Sequence, residues 1–394
     1  MNGGVLIGVR ARCAITCALA AALVAALGCA AVARATGYGA FGAPQPVTIE
    51  GYTGSAEEPF ITTDGAYLLF NSSEALPSFA LQLATRVNAQ SFEYQGAILG
   101  EHVNEAEFLS GTPTLDEEGN LYFISNRSYS QTLSTVYTGD FAQGAVTGVH
   151  LVAGVSGEAP GKVDFDVDVS PDGSTLYVSV GQFGPGGGPT SSSIVIYDRV
   201  DAGFVRDPKS AKILRAVNRA GTLDYAADAS SDGLELFFTA ASPAVGRPPQ
   251  IYRATRASTS KPFGSVERIA AITGFAEAPS ISADGTTLYY HELLGSEFQI
   301  ETVTRTAGAP TITQVSPNRG TAGAQTPMTI AGTDLEGATS VEFGAAGAAS
   351  FTQTSPTSIS ATAPAGAKGT VYVTVTTPSG TSVPSKHDRF KYVR

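Results

Sequence analysis

Five stretches of the 394-residue chain align on one turn: EEPFITTDGAYLLFNS, GTPTLDEEGNLYFISNR, DVDVSPDGSTLYVSV, YAADASSDGLELFFTA and EAPSISADGTTLYYHE. Their glycines, Gly65, Gly119, Gly173, Gly233 and Gly285, are spaced 54, 54, 60 and 52 residues apart. A glycine after an acid allows the positive φ of a tight hairpin, so each copy is two strands and a short turn. A third strand follows in every copy, as in SIVIYDR and QIYRATR, and a fourth in only four, as in GVHLVAG and VERIAAITG. A strand-only repeat with a period in the fifties builds propeller blades rather than a helical solenoid. The missing fourth strand has a counterpart at the other end of the repeat region, where PVTIEGYTGSAEEP matches RIAAITGFAEAP. Residues 46–51 are therefore expected to complete the last blade and close a five-bladed ring, which removes exposed sheet edges. A sixth blade would require a degenerate copy.

The two ends of the chain differ from this body. Residues 1–35 carry Arg10, Arg12 and Arg34 without an acid, an apolar run from Cys13 to Leu27, and the small-x-small site Ala33-Arg34-Ala35. That pattern is an export signal, and the apolar run is short of the roughly 20 residues that a membrane-spanning helix needs. No integral membrane segment is expected; the protein should be exported and reside in the periplasm, at the outer membrane or outside the cell. All three cysteines, Cys13, Cys17 and Cys29, fall in this segment, so the mature chain has no disulfide. Ala26-Leu27-Gly28-Cys29 resembles a bacterial lipobox, which makes a lipid anchor at Cys29 the alternative to cleavage after Ala35. The expected division is a signal peptide over 1–35, a linker over 36–45, a β-propeller over 46–308 and a second module over 309–394.

Within the repeats, the pattern apolar-Ser-x-Asp-Gly-x-x-Leu-Tyr-Phe followed by Ile-Tyr-x-Ala-Thr-Arg resembles the WD-like β-propeller repeat of TolB-type periplasmic proteins. Such propellers bind partners or gate peptidases; TolB-type members typically have six blades, and five here depart from that. The C-terminal module resembles the IPT/TIG immunoglobulin-like domain through Ser316-Pro317-x-x-Gly320, Thr329-Ile330-x-Gly332-Thr333, Val341-x-Phe343-Gly344 and Val373-Thr374-Val375 before Pro378-x-Gly380. The resemblance implies a spacer or interaction module. The fold class expected is thus all-β, a five-bladed propeller closed by an N-terminal strand, plus a C-terminal immunoglobulin-like sandwich.

Chemistry is sparse by comparison. Nucleophile elbows, metalloprotease helices and phosphate loops are missing, and the four histidines are scattered. The glycine-rich stretch 183–190 lacks a following Gly-Lys-Ser/Thr and reads as a plain turn. Residues 36–308 hold 31 acidic against 15 basic residues, a net −16 that repels nucleic acid and anionic membrane. A protein or glycan partner, or a cation, suits it better. Arg86, Arg199, Arg256 and Arg305 recur at the ends of third strands and read as a solvated ring on one face. What remains is acid at the start of the innermost strands: Glu57, Glu58, Glu105, Glu107, Asp164, Asp166, Asp224 and Glu277. In a propeller these positions surround one axial mouth.

Asp164, Asp166 and Asp168 alternate along one strand, which puts them on one side with Phe165, Val167 and Val169 on the other. A helix-loop-helix calcium site is excluded, because Val169 and Thr175 stand where glycine and glutamate are required. A metal site, Ca2+ at Asp164, Asp166 and Asp168, is still a candidate. Asp168 and its equivalent Asp228 should face a neighbouring blade and have a partner there. Two functions follow. One is a non-enzymatic binding protein with Glu57, Glu58, Asp164, Asp166, Asp224 and Glu277 at an acidic mouth. The alternative is a furanoside-type glycoside hydrolase using Glu57, Asp166, Asp224 and Glu277, although the motifs of such enzymes are not visible.

Overall fold

The computed structural model describes residues 38–75, 78–157, 159–184, 188–201, 203–355 and 357–394. Residues 1–35, the expected export signal with Cys29, and residues 185–187 of the glycine-rich turn lie outside the described residues. In chain order the first strands are β1 (Gln45–Pro46), β2 (Thr48–Glu50), β3 (Ala56–Ile61), β4 (Tyr67–Ala75), β5 (Ser78–Arg86) and β6 (Ser91–Ala97). The second repeat supplies β7 (Ser110–Leu115), β8 (Asn120–Ser125), β9 (Val136–Ala142) and β10 (Ala145–Leu151). The third supplies β11 (Lys162–Val169), β12 (Thr175–Phe183), β13 (Pro189–Val200) and β14 (Gly203–Arg206). The fourth gives β15 (Leu223–Ala229), β16 (Glu235–Ser242), β17 (Arg247–Thr255) and β18 (Gly264–Arg268), and the last β19 (Ala276–Ile281), β20 (Thr287–Leu294) and β21 (Glu297–Thr304).

Each repeat is an antiparallel unit whose strands follow one another outward, from β3 to β6, β7 to β10, β11 to β14, β15 to β18 and β19 to β21. The first strands β3, β7, β11, β15 and β19 touch in that order, and β19 touches β3, which closes the ring of a β-propeller. The second strand of a unit packs on both faces, so its apolar residues come in unbroken runs. Leu68-Leu69-Phe70, Leu121-Tyr122-Phe123, Leu176-Tyr177-Val178, Leu236-Phe237-Phe238 and Leu288-Tyr289-Tyr290 are all buried. The core is accordingly five wedges, one between each pair of neighbours; the last joins Tyr289 and Ile300 to Ala56, Ile61, Leu68 and Phe70.

Closure differs in detail from the expected strand 46–51. Gln45 and Pro46 pair with β21, opposite Thr302 and Glu301, and the Val47 N–H adds a last bond to the Ile300 carbonyl at 2.9 Å. Residues 48–50 instead run parallel to Ser91–Glu93 on the outer edge of the first unit. The reason lies upstream, in a segment expected to be linker. Gly39 and Gly42 donate their N–H groups to the carbonyls of Thr306 and Thr304, at 3.0 and 2.7 Å. The Tyr38 ring stacks 3.7 Å from the Arg305 guanidinium, and the Phe41 ring meets Phe237 edge-on. With the chain anchored earlier than expected, it leaves the last unit earlier too.

The recurring arginines correct another expectation, because they are not a solvated ring. Each Nε donates to the carbonyl of its own unit's turn glycine: Arg86 to Gly65, Arg199 to Gly173, Arg256 to Gly233 and Arg305 to Gly285. Arg86 and Arg199 also reach the hydroxyls of Tyr289 and Tyr122 on the second strand of the preceding unit. Arg305 instead forms a fully buried pair with Glu235. These side chains staple turn to neighbour, a role that needs the planar, multidonor guanidinium.

The C-terminal residues form a two-sheet sandwich. One sheet has Thr311–Ser316, Thr326–Thr333, Ser358–Ala363 and Ser350–Ser355; the other has Arg319–Thr321, Arg389–Val393, Gly369–Thr377, Ser340–Phe343 and Ala346–Gly347. Ile330, Ile359, Val373, Val375 and Phe390 are fully buried between them. The sandwich meets the turn end of the propeller, where Glu336, Thr354 and Ser355 share a 640 Å³ space with Glu117, Asp172 and Asp232. The other end of the axis is thereby left for the first residues of the innermost strands.

Candidate binding mouth

One irregularity shapes the axis. Every innermost strand slips register once against its neighbour, between Glu57 and Phe60, Gly111 and Thr114, Asp164 and Asp166, Tyr225 and Asp228, and Glu277 and Ser280. This is a β-bulge at the same position in four repeats and one residue earlier in the third, and a bulge re-aims side chains. Four of the bulged residues, Glu58, Thr112, Ala226 and Ala278, have φ near +50° although none is glycine. Such strain persists only where neighbours hold it. Here the neighbour is a polar residue six positions after the turn glycine, on the second strand of the preceding unit. His291 Nδ1 accepts from the Glu58 N–H at 2.9 Å, Asn71 Oδ1 from Thr112 at 3.1 Å, Ser179 Oγ from Ala226 at 2.9 Å and Thr239 Oγ1 from Ala278 at 3.0 Å.

A second tier of side chains lies nearer the turns. Thr114 Oγ1, Asp168 Oδ2, Asp228 Oδ2 and Ser280 Oγ accept the N–H groups of Val169, Ala229, Ile281 and Ile61, each on the next unit round the ring. The innermost strands do not pair with each other by a backbone ladder, so these acceptors satisfy N–H groups that would otherwise be buried and unpaired. Asp168 and Asp228 do face neighbouring units, and the partners are backbone N–H groups with, for Asp168, the Thr114 hydroxyl at 3.2 Å as well. Burial drives both carboxyls up, Asp168 well above the usual range with the Asp228 charge adding to the shift, and Asp228 to about 7.

Above these tiers the axis widens into a cavity of about 750 Å³. Glu57, Glu58, Tyr225 and Glu277 line it together with Phe79, Leu109, Phe165, Phe183, Pro248 and Pro249. Glu277 is held on both oxygens: the Tyr225 hydroxyl donates to Oε1, and His291 Nε2 lies 3.3 Å from Oε2. Because His291 Nδ1 accepts the Glu58 N–H, the imidazole proton sits on Nε2 and is donated to Glu277. Burial, then the charges of Asp166, Glu277 and Glu57, raise the Glu58 carboxyl well above its ordinary value. Burial raises Asp166 to about 7, opposed by a hydrogen bond from the Ser179 hydroxyl. Asp166 lies one step lower, in a narrow channel of about 30 Å³ that it shares with Glu58, Asp168 and Asp228.

Of the acids expected at the mouth, the structure brings together Glu57, Glu58 and Glu277, with Asp166 beneath them. Asp164 and Asp224 are fully buried and line neither cavity. The bulge is the reason: it breaks the alternation that would have put Asp164 beside Asp166, and turns Phe165 into the mouth instead. Asp224 accepts from the Arg219 backbone N–H at 2.9 Å, from its guanidinium at 3.3 Å and from the Thr222 hydroxyl. Glu105 pairs with His102 at 2.8 Å. Among the described residues no group of three or more His, Cys, Asp or Glu is placed to hold a metal ion. Sequence reasoning missed Tyr225 and His291. A signal for His291 existed, since each second strand has one polar residue six positions after its glycine: Asn71, Ser125, Ser179, Thr239 and His291.

Comparison with known proteins then bears on the two modules separately. Residues 310–392 match the IPT/TIG domain. The C-terminal sandwich is thus an IPT/TIG domain, as its motifs indicated. No curated protein matches the chain. Among solved structures, TolB from Acinetobacter baumannii is 16% identical at a TM-score of 0.37, covering 77% of this chain and 65% of its own. An endo-arabinase from Bacteroides thetaiotaomicron is 12% identical (TM-score 0.41), covering 66% of this chain and 97% of its own. An exo-β-1,3-galactanase from Phanerochaete chrysosporium is 13% identical (TM-score 0.44), covering 82% and 90%. This chain therefore spans just under two thirds of the TolB chain it is similar to. Among the described residues, no helix is long and apolar enough to cross a membrane.

Proposed function

We propose that the protein is an exported binding protein whose axial mouth takes up a ligand, offered by a protein, a glycan or a cation, while the IPT/TIG domain at the turn end serves as spacer or dock. The observation that carries this reading is the 750 Å³ cavity with apolar walls and Glu57, Glu58 and Glu277 among its lining residues. Its size lies in the range of ligand pockets, and a few polar groups in a mainly apolar lining is their usual chemistry. Gly111 offers a test that spares the acids. It lines the mouth, its φ is ordinary, and an added Cβ would meet only the Asn71 side chain at 3.5 Å. A panel of glycans, calcium and charged peptides is screened by thermal shift on the wild type and on Gly111→Trp. One class should raise Tm in the wild type and lose that effect in the plugged variant. No shift anywhere, or a shift that survives the plug, removes the mouth as the site.

One observation favours a second reading, glycan hydrolysis. Glu58, kept protonated by burial and like charge, shares the cavity with Glu277, so a proton donor and a second carboxyl group line one cavity. Release of sugar from an arabinan- or fructan-like polymer, abolished in Glu277→Gln, would establish that reading over simple binding.

A further inference from the structure

We propose that the mouth recognises an organic ammonium group, a primary amine on an apolar stem, supplied by a lysine side chain or by a free amine. This rests on the reading of the mouth as a binding site and specifies its ligand. Glu57 carries the inference furthest. It is only 9% exposed, it lines the cavity, and its Oε1 is buried with no hydrogen-bond partner among the described residues. A buried carboxylate oxygen without a donor is a costly thing to maintain, and a bound donor removes that cost.

The surroundings select the donor. Glu57 and Glu277 are each close enough to Glu58 to act on it electrostatically, and the only cationic side chain lining the cavity among the described residues is Arg247, which is exposed. The mouth thus holds three acids against one exposed base. A calcium ion would need six to eight oxygen ligands. Here Glu277 is already engaged by Tyr225 and His291, and Asn71 Oδ1 by the Thr112 N–H, while most of the remaining wall is phenyl rings, aliphatic side chains and proline. A sugar would need donors and acceptors around its whole rim, whereas beyond the acids the polar side chains lining the cavity among the described residues are Asn71, Thr112, Tyr225 and Arg247. An ammonium group donates three hydrogen bonds, is stabilised by aromatic faces, and brings an apolar stem that such walls would cover. An incoming cation also stabilises the charged form of Glu58, whose carboxyl burial holds protonated, so binding should release a proton.

Isothermal titration with phenethylammonium and with phenethyl alcohol, which differ in charge but not in body, tests this on the full chain. The ammonium should bind at least tenfold tighter than the alcohol. Its binding should weaken at least tenfold in Glu57→Gln and vanish in Gly111→Trp. Its heat should differ between two buffers of unlike ionisation enthalpy, neither a primary amine, by the amount a released proton requires. A capped peptide with one internal lysine, against its norleucine analogue, distinguishes the sources: tighter binding of the peptide assigns the group to a protein, tighter binding of the free amine to a small molecule, and either supports the proposal. Equal binding of alcohol and ammonium, unchanged binding in Glu57→Gln, or preference for a guanidinium overturns it. If amines fail while a glycan or calcium gives a shift that Gly111→Trp removes, the ammonium assignment falls and the mouth stands. If nothing gives such a shift, both fall.

Discussion

At the scale of single residues, the axial acids divide by one position. Asp168 and Asp228 are latches, accepting N–H groups of the next unit, whereas Glu57 and Glu58 open on the mouth. Thr114 and Ser280 do the latching in two other units, so the negative charge of the aspartates is not what the position requires. That yields a test. Asp228→Asn keeps an oxygen for the Ile281 N–H and removes a buried charge. A carboxyl raised to about 7 from 3.8 corresponds to up to about 4 kcal/mol at pH 8. The variant should therefore be more stable than the wild type by urea denaturation at pH 8, with little gain at pH 4; Asp228→Ala, which removes the charge too but strands the N–H, should lose about 1–3 kcal/mol at pH 4 and fall short of Asp228→Asn by a similar amount at pH 8. The aspartates were legible as acids in the sequence, but not their division of labour, because a one-residue bulge decides which face each side chain takes.

At the scale of elements, the ring is held where strands cannot pair. Arginine staples hold four of the five turns, with Arg86, Arg199 and Arg305 reaching the preceding unit, and side-chain acceptors bridge the innermost strands. The last unit depends besides on the N-terminal segment, whose Gln45–Pro46 pairing is only two residues long. Tyr38 on Arg305 and Phe41 on Phe237 add to this anchoring, beside the N–H groups of Gly39 and Gly42 on the Thr306 and Thr304 carbonyls. The double variant Tyr38→Ala, Phe41→Ala should lose about 3 kcal/mol. It should also expose the edge of β21 to other chains, seen as a lower Tm in calorimetry and as higher oligomers in size exclusion. The need for closure was visible from the missing fourth strand. The register was not, since it is set by ring contacts between residues more than two hundred positions apart.

Over the whole molecule, buried carboxyls set the response to pH. Glu58, Asp166, Asp168 and Asp228 at the axis, and Asp334 beside Asp232 at the junction with the IPT/TIG domain, are all raised, Asp166, Asp228 and Asp334 to about 7. A folded-state value above the unfolded one means that the native protein binds more protons, so its contribution is complete below about pH 4 and is lost as pH rises through 7. Stability should therefore decline as pH rises from 4 through about 7, the reverse of a protein held by ionised acid pairs; midpoints of urea denaturation across that range decide it. The groups facing Glu58 in this cluster are Glu57, Asp166, Tyr225, Glu277 and His291, none of them a fixed positive charge. By itself, the amino-acid sequence determined the repeat, the order of strands, the IPT/TIG module and the acidity of the axis, because turn chemistry and apolar runs are local and recur. Only the tertiary structure decided which acids meet, since a bulge of one residue in each innermost strand turns Glu57, Glu58 and Glu277 into one cavity and buries Asp164 and Asp224 away from it. Local patterns carry the strand, but the direction of a side chain after a register slip depends on the neighbouring unit that holds the slipped residue in place.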